Sequence, residues 1–338
     1  MLRSHSPRAL VLAAVALGAA ACTTSDLPKT PKSTDSVAAA PVVVQPAAPG
    51  TPNSSATAVP ESVSYAMADS AYTARDYGRA ADLFDAYSKR RPQNPWGFYM
   101  LGLSAWKAGQ LDRARGAFED ALQLDPKNVK SMVNLSRVLL EEDRPRDALS
   151  QVRAALAVDS GSADAWRVLG RVQGRLGHLD DALDAYHTAL ALEPQDTWSM
   201  NNMGLLLIGA GRYEEALGPL ARAVQLDEHG VPAFENNLGI ALERTRHLTL
   251  AAEAYRHALQ SDSTYAKAQV SLARVSQLGD DSTADSVTVA SLGDAFAEEV
   301  SSWQASRDVA AVPRAADTTR APVVPETNAK PDSMKPQP

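Results

Sequence analysis

The chain has 338 residues, 45% of them apolar, a single cysteine and a formal net charge of -7. That apolar content suffices for a substantial core, and the acidic balance argues against general attraction to nucleic acid or anionic lipid. One cysteine excludes an internal disulfide, so packing has to hold the fold.

At the N-terminus, Arg3 and Arg8 precede an uncharged run from Ala9 to Ala21. The run is too short to cross a bilayer but suits the core of a secretion leader, so residues 1–21 read as a signal peptide whose removal takes the net charge from -7 to -9. Cys22 follows Leu17-Gly18-Ala19-Ala20-Ala21, which resembles the lipobox of bacterial lipoproteins, with Ala19 departing from the usual leucine. Ala19 and Ala21 also fit an ordinary small-x-small cleavage site, which would leave a soluble secreted chain with a terminal thiol. The position of the one cysteine at that boundary favours lipidation at Cys22. With Thr23 in place of an inner-membrane retention aspartate, the resemblance implies anchoring to the outer membrane, facing the periplasm, in a cell with two membranes. Residues 22–60 read as a disordered tether, with only Asp26, Lys29, Lys32 and Asp35 charged.

A recurrence with a 34-residue period then begins, in units starting at Glu61, Pro95, Val129, Ala163, Thr197 and Pro232, the last displaced by one residue. Position 20 is alanine in every unit: Ala80, Ala114, Ala148, Ala182, Ala216 and Ala251. Position 8 is small (Ala68, Gly102, Ser136, Gly170, Gly204, Gly239) and position 24 bulky (Phe84, Phe118, Val152, Tyr186, Leu220, Tyr255), so one helix offers a dent that the next fills. Pro92, Pro126 and Pro194 at position 32 end the second helix.

These spaced residues, down to Ala163-Asp164-Ala165-Trp166 and Asp180-Asp181-Ala182-Leu183, resemble the tetratricopeptide repeat. The resemblance implies an all-α solenoid over 61–279: about six helix-turn-helix repeats in a right-handed superhelix, a capping helix at 266–279 and a concave groove. Beyond it, Val289, Leu292, Phe296, Val300 and Trp303 line one side of a helix expected over 285–310. That stripe either caps the last repeat or folds into the groove as a plug. The Pro-rich 311–338 reads as a disordered tail.

Motifs for chemistry are missing: no H-E-x-x-H, no phosphate-binding glycine loop, no G-x-S-x-G. His178 and His247 fall two repeat spacings apart, too far to share a metal. No enzyme activity, cofactor, metal or small-molecule substrate is therefore expected.

The resemblance places the groove wall on positions 2, 5, 6, 9, 12 and 13 of each first helix. Arg167, Arg171 and Arg175 there stack three cations along one helix, with Lys130 and Arg137 beside them. Like charges at that spacing cost a helix about 0.2–0.5 kcal/mol per pair. Such a cluster suits a carboxylate-rich, phosphorylated or carboxyl-terminal ligand, or else forms a solvated face eased by Asp164 and Glu141. Asn134, Asn202 and Asn237 share position 6, where asparagines either ladder along a bound backbone or serve packing. Trp198 and Leu205 add an apolar anchor. The expected function is a scaffold or adaptor at the bacterial envelope, holding a peptide or helix of another envelope protein. In layout the chain is similar to lipoproteins that assemble pilus secretins and outer-membrane complexes. The alternatives are a docking protein for cell-wall hydrolases and the regulatory arm of an envelope enzyme.

Overall fold

A computed structural model describes residues 63–278 and 287–311, with backbone alone for 308–311. The expected leader, Cys22, the tether and the tail from 312 onward lie outside the described residues.

Among the described residues, twelve helices form six successive pairs: α1 (Tyr65–Thr73) with α2 (Tyr77–Arg90), α3 (Pro95–Lys107) with α4 (Leu111–Leu124), α5 (Val129–Glu141) with α6 (Pro145–Val158), α7 (Ala163–Leu176) with α8 (Leu179–Leu192), α9 (Thr197–Gly209) with α10 (Tyr213–Gln225), and α11 (Pro232–Arg244) with α12 (Leu248–Ser261). Two more follow, α13 (Ala266–Val275) and α14 (Val289–Ala311).

The first helix of each early pair starts at a side-chain cap. Ser64, Asn94, Asn128, Ser162 and Asp196 each accept a backbone N–H of the first turn, satisfying donors that the helix cannot. Val231, which precedes α11, has no such oxygen, and there the Asp227 carboxylate accepts the Val231 N–H at 2.5 Å. Within each pair the turn passes through one left-handed residue at position 15. Glycine fills it at Gly109, Gly177 and Gly211, with φ of 75, 81 and 75°, whereas Arg75, Asp143 and Arg246 adopt 60, 58 and 70°. A side chain in that conformation costs about 1–2 kcal/mol.

The packing follows the small and bulky positions. All six position-20 alanines have 0% exposure. A Cβ added to Gly102, Gly170 or Gly239 would stand 2.6, 2.7 or 2.5 Å from the ring of Phe118, Tyr186 or Tyr255, and one on Gly204 would meet Leu220. Each dent is thus filled by the knob of its own repeat. From α3 onward each first helix also packs on the first helix of the next repeat, up to α13, while second helices make no comparable contact with one another among the described residues. First helices therefore form the inner wall, and second helices splay outward.

The placement of α14 departs from both expectations. It lies across α8 and α10, second helices on the outer wall, neither capping the last repeat nor entering the groove. The end of the solenoid is already covered by α13, whose Ala268 and Val275 are buried. The seat on α10 is opened by Gly218, where a Cβ would stand 3.2 Å from that of Phe296. Phe296 and Val300 are buried, Trp303 packs on His187 with ring centres 4.2 Å apart, and the Gln225 amide donates to the Ala290 carbonyl at 2.9 Å. A cavity of about 410 Å³, lined in part by Leu183, His187, Phe296 and Trp303, remains beside this seat.

Candidate binding groove

The inner wall carries the predicted basic cluster, but its members are not equivalent. Arg137 donates to Asn134 Oδ1 at 2.7 Å and to Asp164, and Asn134 in turn donates to the Tyr99 hydroxyl at 3.3 Å. Arg167 shares Asp164 with Arg137 and donates from Nη1 to both oxygens of Asp196, each at 2.8 Å. Asp196 also caps α9, accepting the Trp198 N–H at 3.1 Å and the Ser199 hydroxyl at 2.6 Å. Burial works against the charge of Arg167, but Asp196 and Asp164 outweigh it and hold the group above its ordinary pKa. Arg167, expected to face a partner, is therefore bound into the joint between repeats four and five. Arg175 reaches Asp143 at 2.5 Å, and Lys130 is exposed.

Arg171 differs from the others. Among the described residues it has no hydrogen bond and no carboxylate within ion-pair distance. It keeps some solvent contact, yet burial depresses its pKa, and the charges of Arg137 and Arg167 depress it further against the pull of Tyr186 and Glu141. Glu141 accepts a hydrogen bond from Trp106 Nε1 at 3.0 Å. The residue as a whole is exposed, yet partial desolvation of its carboxyl raises its pKa, opposed by Trp106, Arg171 and Lys107. The middle of the groove thus holds one cation without a direct counter-ion.

The position-6 asparagines are all buried, Asn134 with 5% exposure. Asn202 and Asn237 are only 4% and 8% exposed, and the Asn237 amide donates to Asn201 Oδ1 at 2.8 Å. At Asn134 and Asn237 the amide forms a bond between neighbouring first helices, the packing alternative to a ladder along a bound backbone. Trp198 stays 40% exposed with its edge on Phe234, ring centres 5.0 Å apart, and Leu205 is half-buried beside it in sequence on α9.

An aromatic stretch in repeats one and two was not anticipated. Trp96 is 42% exposed, stacks on Tyr99 at 4.9 Å and donates from Nε1 to the Tyr65 hydroxyl at 3.0 Å. Trp96, Tyr99 and Trp106 occupy positions 2, 5 and 12 of the second unit, so the repeat frame itself carried the signal. The wall therefore offers an aromatic stretch, a central unpaired guanidinium and an apolar patch around Trp198, an arrangement suited to an extended chain with apolar side chains and one anion.

Paired helices with a buried alanine at each crossing define a solenoid of helical repeats. Two family models described as tetratricopeptide repeat match it, one over residues 65–129, 169–231 and 201–266 and the other over 105–172, and the chain belongs to that family. Among curated proteins it is 28% identical over 171 residues to a probable UDP-N-acetylglucosamine–peptide N-acetylglucosaminyltransferase SPINDLY of Hordeum vulgare, covering 46% of this chain and 18% of that protein. It is 37% identical over 95 residues to human tetratricopeptide repeat protein 7B, covering 28% of this chain and 11% of that one. The chain thus spans less than a fifth of the length of either relative. Among solved structures, the Cut9–Hcn1 hetero-tetramer matches with a TM-score of 0.55 at 17% identity, over 70% of this chain and 47% of that one. A tetratricopeptide protein of Thermus thermophilus matches with a TM-score of 0.49 at 21% identity, over 54% of this chain and all of the other. Pseudomonas aeruginosa pilF gives 0.49 at 18% identity, over 64% and 97%.

Proposed function

We propose that the chain is a non-enzymatic scaffold of a bacterial envelope that holds a segment of another envelope protein in the groove, with a carboxylate of that segment on Arg171 and apolar side chains against Trp198 and Leu205. The observation that carries this reading is Arg171. In a wall where Arg137, Arg167 and Arg175 all have internal carboxylates, it alone of the four has none within reach among the described residues. An incoming carboxylate would supply the charge-assisted bond that the fold leaves unmade. Membership of a repeat family supports binding rather than catalysis.

The test is selection from a random peptide library on the full chain and on Arg171→Gln. Enrichment of Asp, Glu or free carboxyl termini on the first but not the second is expected. The same enrichment on both would overturn the assignment. Attachment to the outer membrane through a lipidated Cys22 is part of the proposal, and Cys22→Ser should release the protein from the membrane fraction. An unchanged fraction would refute the anchor.

A further inference from the structure

We infer that the stretch Pro46-Ala47-Ala48-Pro49-Gly50-Thr51-Pro52, upstream of the first repeat, docks as a polyproline helix on the aromatic shelf formed by Tyr65, Trp96 and Tyr99. The partner segment proposed above engages Arg171, Trp198 and Leu205 and leaves that shelf unassigned, so the two sites stand or fall separately.

The shelf is already built among the described residues. Tyr65, the first residue of α1, is held by edge-on contacts with Phe84 and Tyr87, ring centres 5.6 and 5.9 Å away. Trp96, in the first turn of α3, stacks on Tyr99 and still keeps 42% exposure. Its Nε1 donates to the Tyr65 hydroxyl at 3.0 Å, which joins two repeats into one aromatic surface and leaves that hydroxyl its own proton to give to a carbonyl. An aromatic surface with a donor beside it suits a polyproline chain, whose carbonyls make no internal hydrogen bonds.

The sequence supplies the occupant. Pro46, Pro49 and Pro52 recur at every third residue, and a polyproline helix has three residues per turn, so the three rings fall on one edge. The fixed φ of proline orders that edge in advance and lowers the entropy lost on docking. Residues 36–60 contain no charged side chain, which matches an uncharged aromatic surface and gives this stretch no carboxylate for Arg171. The chain also enters the solenoid at the shelf. Val63 is buried there, two residues before Tyr65, and the step from Pro52 to Val63 can reach roughly 36–40 Å, ample for the chain to turn back over Trp96. The other pair at that spacing, Pro322 and Pro325, follows α14 on the outer wall of repeats four and five and has Glu326 beside it.

The test uses the full chain labelled with fluorotryptophan and reads its indoles by fluorine NMR, with Trp96 assigned through Trp96→Phe. A variant carrying Pro46→Ala, Pro49→Ala and Pro52→Ala is altered only outside the solenoid, so the repeats fold as before. It should shift the Trp96 signal toward that of a solvent-exposed indole while Trp166, Trp198 and Trp303 stay in place. A second variant, Ala48→Pro with Pro49→Ala, keeps the composition but breaks the three-residue spacing, and should shift Trp96 in the same direction. A Trp96 signal indifferent to the triple substitution would overturn the docking, and one indifferent to the change of spacing would overturn the polyproline register. A shift of Trp96 produced instead by Pro322→Ala with Pro325→Ala would make the C-terminal stretch the occupant and overturn the assignment as well.

Discussion

Arg167 and Asp196 form the ion pair on which the joint between repeats four and five turns: one guanidinium nitrogen lies 2.8 Å from both carboxylate oxygens of the residue that caps the next helix. Removing the arginine leaves Asp196, whose side chain is only 4% exposed, without its cation. Arg167→Gln should therefore cost about 1–3 kcal/mol in urea unfolding. Arg171→Gln should cost nothing, or gain about 0.2–0.5 kcal/mol for each like-charge contact relieved. Equal losses from the two variants would contradict the division between structural and docking arginines.

Glu141 makes stability depend on pH in a defined direction. Its folded pKa lies above the ordinary value of 4.5, chiefly through burial, so its contribution is full below that value and is lost as pH rises through the folded pKa. Glu141→Gln should be more stable than wild type at neutral pH, with the difference vanishing below about pH 4.5. Thermal melts of both proteins across that range check the sign, and an advantage that persists in acid would refute it.

Two glycine-to-alanine substitutions should move stability in opposite directions. At Gly239 a Cβ would lie 2.5 Å from the Tyr255 ring, and overpacking of that kind costs about 1–3 kcal/mol. At Gly116, inside α4, nothing lies within 4 Å, so alanine should stabilise by about 0.5–1 kcal/mol through helix propensity. Denaturant midpoints of the pair are the measurement.

Arg75→Gly addresses the turn between paired helices. The residue sits at φ 60°, and relief of left-handed strain less the added chain entropy should stabilise by up to about 1 kcal/mol. A destabilised variant would show that the Arg75 side chain contributes more than its backbone costs.

Phe296 is the main anchor of α14, buried against Gly218. Phe296→Ala should cost about 3–5 kcal/mol locally, seen as faster amide exchange throughout α14 with protection in α7 unchanged. Uniform loss of protection across the repeats would mean that α14 does not open independently.

The repeat frame was legible because it is written in residues that pack within one unit: the alanines of position 20 and the facing glycine and knob positions lie a few turns apart. The state of each arginine was not. Arg167 has Asp164 three residues before it, but its second carboxylate, Asp196, and the Asp143 that holds Arg175 lie 29 and 32 residues away, and nothing local to α7 reveals that Arg171 has none. Position 6 hid its role for a similar reason, since Asn237 finds its partner on the preceding first helix, 36 residues back. The stripe on α14 announced that the helix must dock but not where, because periodicity describes one face and not its complement. Gly218-Pro219 in the middle of α10 was the available clue, a pair that a helix interior avoids unless something approaches it. The left-handed turns at Arg75, Asp143 and Arg246 were invisible as residue types and became apparent only through their shared position.

The seat of α14 also affects how the groove yields. A stack whose outer helices stand apart can flex at every joint, opening or tightening its inner surface as a spring does. Bridging α8 and α10 from behind puts a strut across one such joint, between repeats four and five, on the opposite side from Arg171 and Trp198. For the proposed docking, a curvature fixed there would keep the guanidinium and the indole at their spacing before a ligand arrives, so that less ordering is required on binding. The joints among repeats one to three, where the aromatic stretch lies, carry no such strut among the described residues.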